Sequence, residues 1–166
     1  MLNSYSKTEL IGIGFASVGN GVVVSKDARL YEINGVLGDS VRIDAFSILT
    51  GRIVLDANVH ISPFCFLGGT GGVIEMKHHS GLSSHVSVFT KSADYSTHQL
   101  EGADKITGDV YIGEHTVIGS GTKILPGTTI SEHVSVGCNS VINQNIERGS
   151  IIVSRNMGLV TISKRS

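Results

Sequence analysis

The stretch Ile112–Ile146 reads, in sixes, IGEHTV, IGSGTK, ILPGTT, ISEHVS, VGCNSV, INQNI. Aliphatic residues stand at 112, 118, 124, 130, 136 and 142 without slippage. The fifth place of each block (Thr116, Thr122, Thr128, Val134, Ser140, Ile146) is mostly small or β-branched. Neither the helical period of about 3.6 nor the strand period of two produces a strict six. A solenoid does, because each repeat buries its one aliphatic side chain only by stacking on copies of itself.

Working outward toward the N-terminus, Leu37, Ile43, Leu49, Leu55, Ile61 and Leu67 keep the same spacing, with Val41, Ser47, Ile53, Val59 and Cys65 in the small inner place. The frame slips by three residues at the glycine-rich Gly68–Val73, which marks a bulge or corner loop, and resumes with Met76, Leu82 and Val88. From about 90 to 109 the period vanishes, and so long a break inside a regular array marks a functional excursion loop. Val18, Val24 and Leu30 form a looser start. Before them, Ser6-Lys7-Thr8-Glu9 has capping-box spacing and predicts a helix over about Lys7–Ile13, stopped by Gly14. After Ile146 the frame is expected to end, leaving about 147–166 as a C-terminal cap or arm. The whole chain, 1–166, is then one all-β solenoid domain.

Composition agrees. Charged residues are 16%, there are 21 glycines, two prolines and no tryptophan, which suits turn-rich β structure. A net charge of −1 argues against nucleic-acid or membrane-surface partners, which need a basic face. Cys65 and Cys138 match no metal spacing and read as free thiols in a reducing compartment. With no signal-like N-terminus and no apolar run of about 18 residues, no membrane span is expected and the chain reads as cytoplasmic.

The recurrent I-G-x-x-[ST]-x pattern, with the ILPG and VGCNSVI elements, resembles the hexapeptide-repeat acyltransferases. That resemblance implies a left-handed parallel β-helix of triangular section, three blocks to a turn, here about five to six coils. Gly38–Ser96, with GLSS at Gly81–Ser84 and Asp94-Tyr95-Ser96, is similar to galactoside-type or capsular and O-antigen sugar acetyltransferases. The resemblance implies transfer of an acetyl group from acetyl-CoA to a sugar or nucleotide-sugar hydroxyl or amine in surface-polysaccharide (lipopolysaccharide) biosynthesis. It also implies a homotrimer with the site between adjacent helices. No metal is expected.

The place of that subgroup's catalytic histidine falls on Ala93, and its pocket asparagine falls near Phe64. Three readings stay open: His98 is the base, an amine acceptor dispenses with a strong base, or catalysis is weak. His98 lies in the aperiodic loop four residues from Asp94, and a carboxylate can fix a histidine's tautomer and raise its basicity. His85, one rung earlier, is a further candidate to line the groove; His78 and His79 read as surface residues. For CoA the resemblance points to the late coils. Gly119, Ser120 and Gly121 leave a surface poor in side chains, continued through Thr122 and, one coil on, through Cys138, Asn139 and Ser140. Lys123, Lys164 and Arg165 are candidates for its phosphates, and Arg155 for the basic residue of the family's C-terminal arm. His115 and His133, 18 apart, should stack with Glu114 above Glu132, but no third ligand in register presents itself. A γ-carbonic-anhydrase-like or catalytically inactive β-helix is the alternative to the acetyltransferase.

Overall fold

The computed structural model describes residues 3–94, 104–155 and 158–164, the last strand by its backbone. Its strands coil into a parallel β-helical prism, the solenoid that the repeat of six implies. The second face shows the stacking most plainly: Val24, Ile43, Ile61, Leu82, Ile118, Val136 and Ile152 lie on successive parallel rungs. Seven rungs exceed the five to six coils expected from sequence. The loose start supplies a full turn, and a further rung follows Ile146.

Between these partners the chain advances 19, 18, 21, 36, 18 and 16 residues. Every departure from 18 falls on the third corner, where the chain passes from the third face to the first. Glu32 bulges there at φ 53, between the paired residues Tyr31 and Ile33. Three residues, Thr70 to Gly72, are looped out between Gly69 and Val73. The long excursion leaves between Phe89 and Val110. Ile146 pairs with Ile130 at a distance of 16 residues, so the last turn is two residues short. Ile146 therefore takes the aliphatic place of the next block instead of the fifth place expected for it, and the repeat runs on through Ile152, paired with Val136.

The aliphatic ladder and the inner places form one core, with Leu49, Ile61, Leu67, Val88, Ile118, Ile124 and Ile142 at 0% exposure. Hydroxyls at the inner place serve the corners, whose backbone groups have no sheet partner. Thr116 Oγ1 donates to Ser131 O (3.0 Å) and accepts from Val134 N (3.2 Å). Thr122 and Ser47 do the same one face on. Each satisfies corner groups that would otherwise be buried without a partner.

Both ends are closed. Helix α1 (Lys7–Ile13) forms where the sequence predicts it: Glu9 N donates to Ser6 Oγ and Ser6 N to Glu9 Oε2, while Gly14 caps the other end at φ 131. The helix buries Leu10, and Tyr5 N donates to Val24 O at the first rung's free edge. At the other end Ser150–Arg155 forms one more parallel rung and Gly158–Lys164 returns antiparallel along it, so the arm expected from about 147 begins only after this last rung.

Candidate functional site

The second corner, between the second and third faces, carries a ridge. In five successive coils one residue there lies in the left-handed region, and Phe46, Phe64, His85, Gly121 and Asn139 occupy that place. Because consecutive coils stack, the side chains do too. Phe46 lies on Phe64 with centroids 5.1 Å apart, and Phe64 on His85 at 5.0 Å with the rings 4° from parallel. At Gly121 the aromatic ladder stops, and a Cβ there would collide with Asn139 Oδ1. Backbone bonds fix the ridge: Gly121 N donates to Ser84 O (3.1 Å) and Asn139 N to Ser120 O (2.8 Å). Lys123 lies beside it, its Nζ 3.5 Å from His85 O and 3.4 Å from Gly121 O.

Asp44, on the same corner, is held by Arg42 through two hydrogen bonds (2.7 and 2.9 Å) and by His60 (2.9 Å). Burial alone would push its carboxyl up, but these partners outweigh it and hold it below the usual carboxylate value. Burial pushes the Cys65 thiol up to about 11, while Cys138 is exposed; both are free, as the sequence suggests.

The third corner carries the excursion. Read as aperiodic from sequence, it begins and ends as an antiparallel ladder of Lys91–Ala93 with Lys105–Thr107, continued by Asp94 N donating to Asp104 O (2.9 Å). Its foot is tied to the Gly68–Val73 bulge. Thr90 Oγ1 donates to Gly68 O (2.7 Å) and accepts from Gly71 N (3.0 Å), and Val73 N donates to Asp109 Oδ1 (2.8 Å). Gly71 and Gly72 are required there, since a Cβ on either would strike Thr90 O or Asp109 Oδ1. Beneath the hairpin, a cavity of about 380 Å³ is lined by Tyr31, Glu32, Thr50, Phe66, Phe89 and Lys91, among others.

The candidate residues divide accordingly. His85, Gly119, Ser120, Lys123 and Cys138 come together on or beside the second-corner ridge, and Asp94 stands at the end of the hairpin strand. Thr122 and Ser140, proposed for the cofactor, face inward at 0% exposure, so their side chains are closed to it. Gly119 lacks a side chain for a structural reason: a Cβ would lie 2.6 Å from Val136 O and 2.7 Å from Cys138 N. His98 and Arg165 lie outside the described residues, and Arg155 and Lys164 are placed by their backbones alone, in the terminal hairpin. Ser84 is absent from the sequence candidates, although it closes the GLSS element and sits on the ridge beside His85.

A prism of stacked hexapeptides with a loop leaving one edge defines the hexapeptide-repeat transferases. The family model "Bacterial transferase hexapeptide (six repeats)" matches residues 106–144. The dTDP-4-amino-4,6-dideoxy-D-glucose acyltransferase of Escherichia coli is 30% identical over 171 residues, covering 95% of this chain and 86% of the relative. The chain belongs to this family of hexapeptide-repeat sugar acyltransferases. Among solved structures, AntD, an N-acyltransferase from Bacillus cereus in complex with dTDP and 3-hydroxybutyryl-CoA, superposes with a TM-score of 0.86 at 32% identity over 99% of this chain and 90% of that one. The acetyltransferase domain of PglB from Neisseria gonorrhoeae, in complex with acetyl coenzyme A, shares the fold at a TM-score of 0.65 and 17% identity over 86% of this chain and 58% of that one. Among the described residues, no helix is long and apolar enough to cross a membrane.

Proposed function

We propose that this chain is an N-acyltransferase that moves an acyl group from acyl-CoA to the amino group of a nucleotide-linked deoxyamino sugar. The observation that carries this is the hairpin that presents Asp94, ten residues beyond Ser84 on the ridge. AntD has been crystallised as S84A with dTDP-4-amino-4,6-dideoxyglucose and coenzyme A, and as D94A with dTDP and coenzyme A. This chain carries a serine and an aspartate at the same two numbers.

The chemistry suits an amine. Once deprotonated, the amine attacks the thioester carbonyl carbon with its own lone pair, so the histidine whose place is taken by Ala93 is dispensable. Asp94 takes the proton released as the C–N bond forms, and the C–S bond breaks to release CoA, which leaves as a thiolate and recovers a proton from solvent. The ridge at Ser120, Gly121 and Cys138, with Lys123 beside it, offers the pantetheine chain a surface of small side chains. The cavity under the hairpin offers Tyr31, Phe66 and Phe89 to a pyrimidine base and Lys91 to the diphosphate.

Ser84 precedes the third face and Asp94 follows it, so the two flank that face within one chain. A homotrimer, in which the ridge of one subunit meets the hairpin of the next, brings such residues to one groove. Release of free thiol from acetyl-CoA tests the reading, with dTDP-4-amino-4,6-dideoxyglucose as acceptor and its 4-hydroxy counterpart as control. The amine should turn over and the alcohol should not. Asp94→Asn should lower kcat by roughly a hundredfold with little change in acetyl-CoA affinity. A loss under about threefold, or equal turnover of the alcohol, overturns the assignment.

A further inference from the structure

The first corner, between the first and second faces, carries a second ladder that the acyl-transfer reading does not use. His79, His115 and His133 follow one another there, with ring centroids 5.0 and 5.2 Å apart and planes within 8° of parallel. All three have positive φ, as do Ser40 and Asn58 in earlier coils, and histidine is among the residues enriched in that conformation. The backbone requirement thus accounts for these three. It does not account for their neighbours.

His78 precedes the left-handed residue of its coil, and Glu114 that of the next. Their side chains meet, with His78 Nε2 2.7 Å from Glu114 Oε2. The His78 ring stands nearly perpendicular to the stack, 77° from His79 and 80° from His115. This turns it edge-on toward His115, and His78, Glu114 and His115 each bring one ligand atom within 4.8 Å of the others. This third ligand falls out of the 18-residue register because 36 residues separate the coil of His78 from that of Glu114 across the hairpin.

We infer that His78, Glu114 and His115 form a binding site for a divalent transition-metal ion of the zinc type, with a fourth position open to water. Two imidazoles and one carboxylate suit zinc better than magnesium or calcium, which prefer all-oxygen shells. Zinc bonds of about 2.0–2.1 Å in a tetrahedron put ligand atoms about 3.4 Å apart, so the closest pair must open slightly and the third atom close in. The frame is already built: His115 N donates to His78 O (3.2 Å) and His133 N to Glu114 O (2.9 Å), which locks the three coils in register. Lys77, next to His78 in sequence, is occupied elsewhere, its Nζ lying 2.9 Å from Asp56 and 3.1 Å from Glu75. The ion would clip together the two coils that bracket the hairpin, closing a loop of 36 residues. Its role is structural and its place is remote from the ridge.

Calorimetric titration of the untagged, EDTA-stripped full chain with zinc chloride tests this, alongside the His78→Ala, His115→Ala and His133→Ala variants. The expected result is one zinc per chain, with affinity reduced roughly tenfold or more in His78→Ala and His115→Ala and retained in His133→Ala. Melting in zinc against EDTA gives a second readout: the wild-type midpoint should rise with zinc and that of His78→Ala should not. Equal zinc affinity in the wild type and His78→Ala, or equal loss in His133→Ala, overturns the site. The acyl-transfer assay reports separately, since none of these residues lies on the ridge or the hairpin.

Discussion

Gly119 has no room for a side chain, because the next coil's backbone lies where its Cβ would be. A bulky residue there would part the coils before it tested any groove. Cys138 is the better probe, since it is exposed on the same ridge. Cys138→Trp should cut acetyl-CoA affinity in calorimetry by at least roughly tenfold while leaving the melting temperature within a few degrees of the wild type; unchanged affinity would move the donor groove off the ridge. The same pair of residues shows where sequence reasoning stops. A small residue demanded by coil stacking and one demanded by a ligand look alike in a sequence, and only the neighbouring coil separates them. Thr122 and Ser140 are legible as inward-facing, because they stand in the fifth place of their blocks. Ser84 carries a signal in GLSS, but a hydroxyl beside the titratable His85 does not stand out from the sequence alone.

At the scale of elements, the capping box of α1 was legible residue for residue, since it depends on four consecutive side chains and no tertiary contact. Glu9 receives hydrogen bonds from Lys26 Nζ (2.9 Å) and Ser6 N (2.7 Å), which pull its pKa down to about 2. A carboxylate lowered in this way stabilises the fold above its unfolded value of 4.5 and loses that contribution as the pH falls toward about 2. Urea midpoints of the wild type and Glu9→Gln should therefore differ at neutral pH and converge between about pH 4.5 and pH 2. A constant gap across that window would mean the carboxylate charge is not what holds the cap. The hairpin was less legible than the helix. Its two three-residue strands pair antiparallel across a wide gap, and its anchors on the Gly68–Val73 bulge are long-range contacts with no local pattern. The aliphatic frame ran clear on both sides of it, so the fold could be read while the length of the interrupted turn hid the alignment of His78 with His115.

For the whole molecule, the ridge is unusually apolar for a surface: Phe46 is 58% exposed, Phe64 50%, and Val117 and Val141 on the adjoining faces 53% and 50%. If the ridge is where copies meet, as the proposed trimer requires, Phe64→Glu should shift the mass seen in sedimentation from trimer to monomer without unfolding the chain, because the side chain supports no core. A trimer indifferent to this change would place the seam on another face. The ends of the prism matter in a different way. A stack of identical rungs has no intrinsic length: its last strand offers the same row of free backbone groups and the same open core as its first, so one copy could continue the next as a fibre. Helix α1 and the antiparallel return of Gly158–Lys164 are stop signs, and through them a repeat able to polymerise is held to the size of a discrete enzyme.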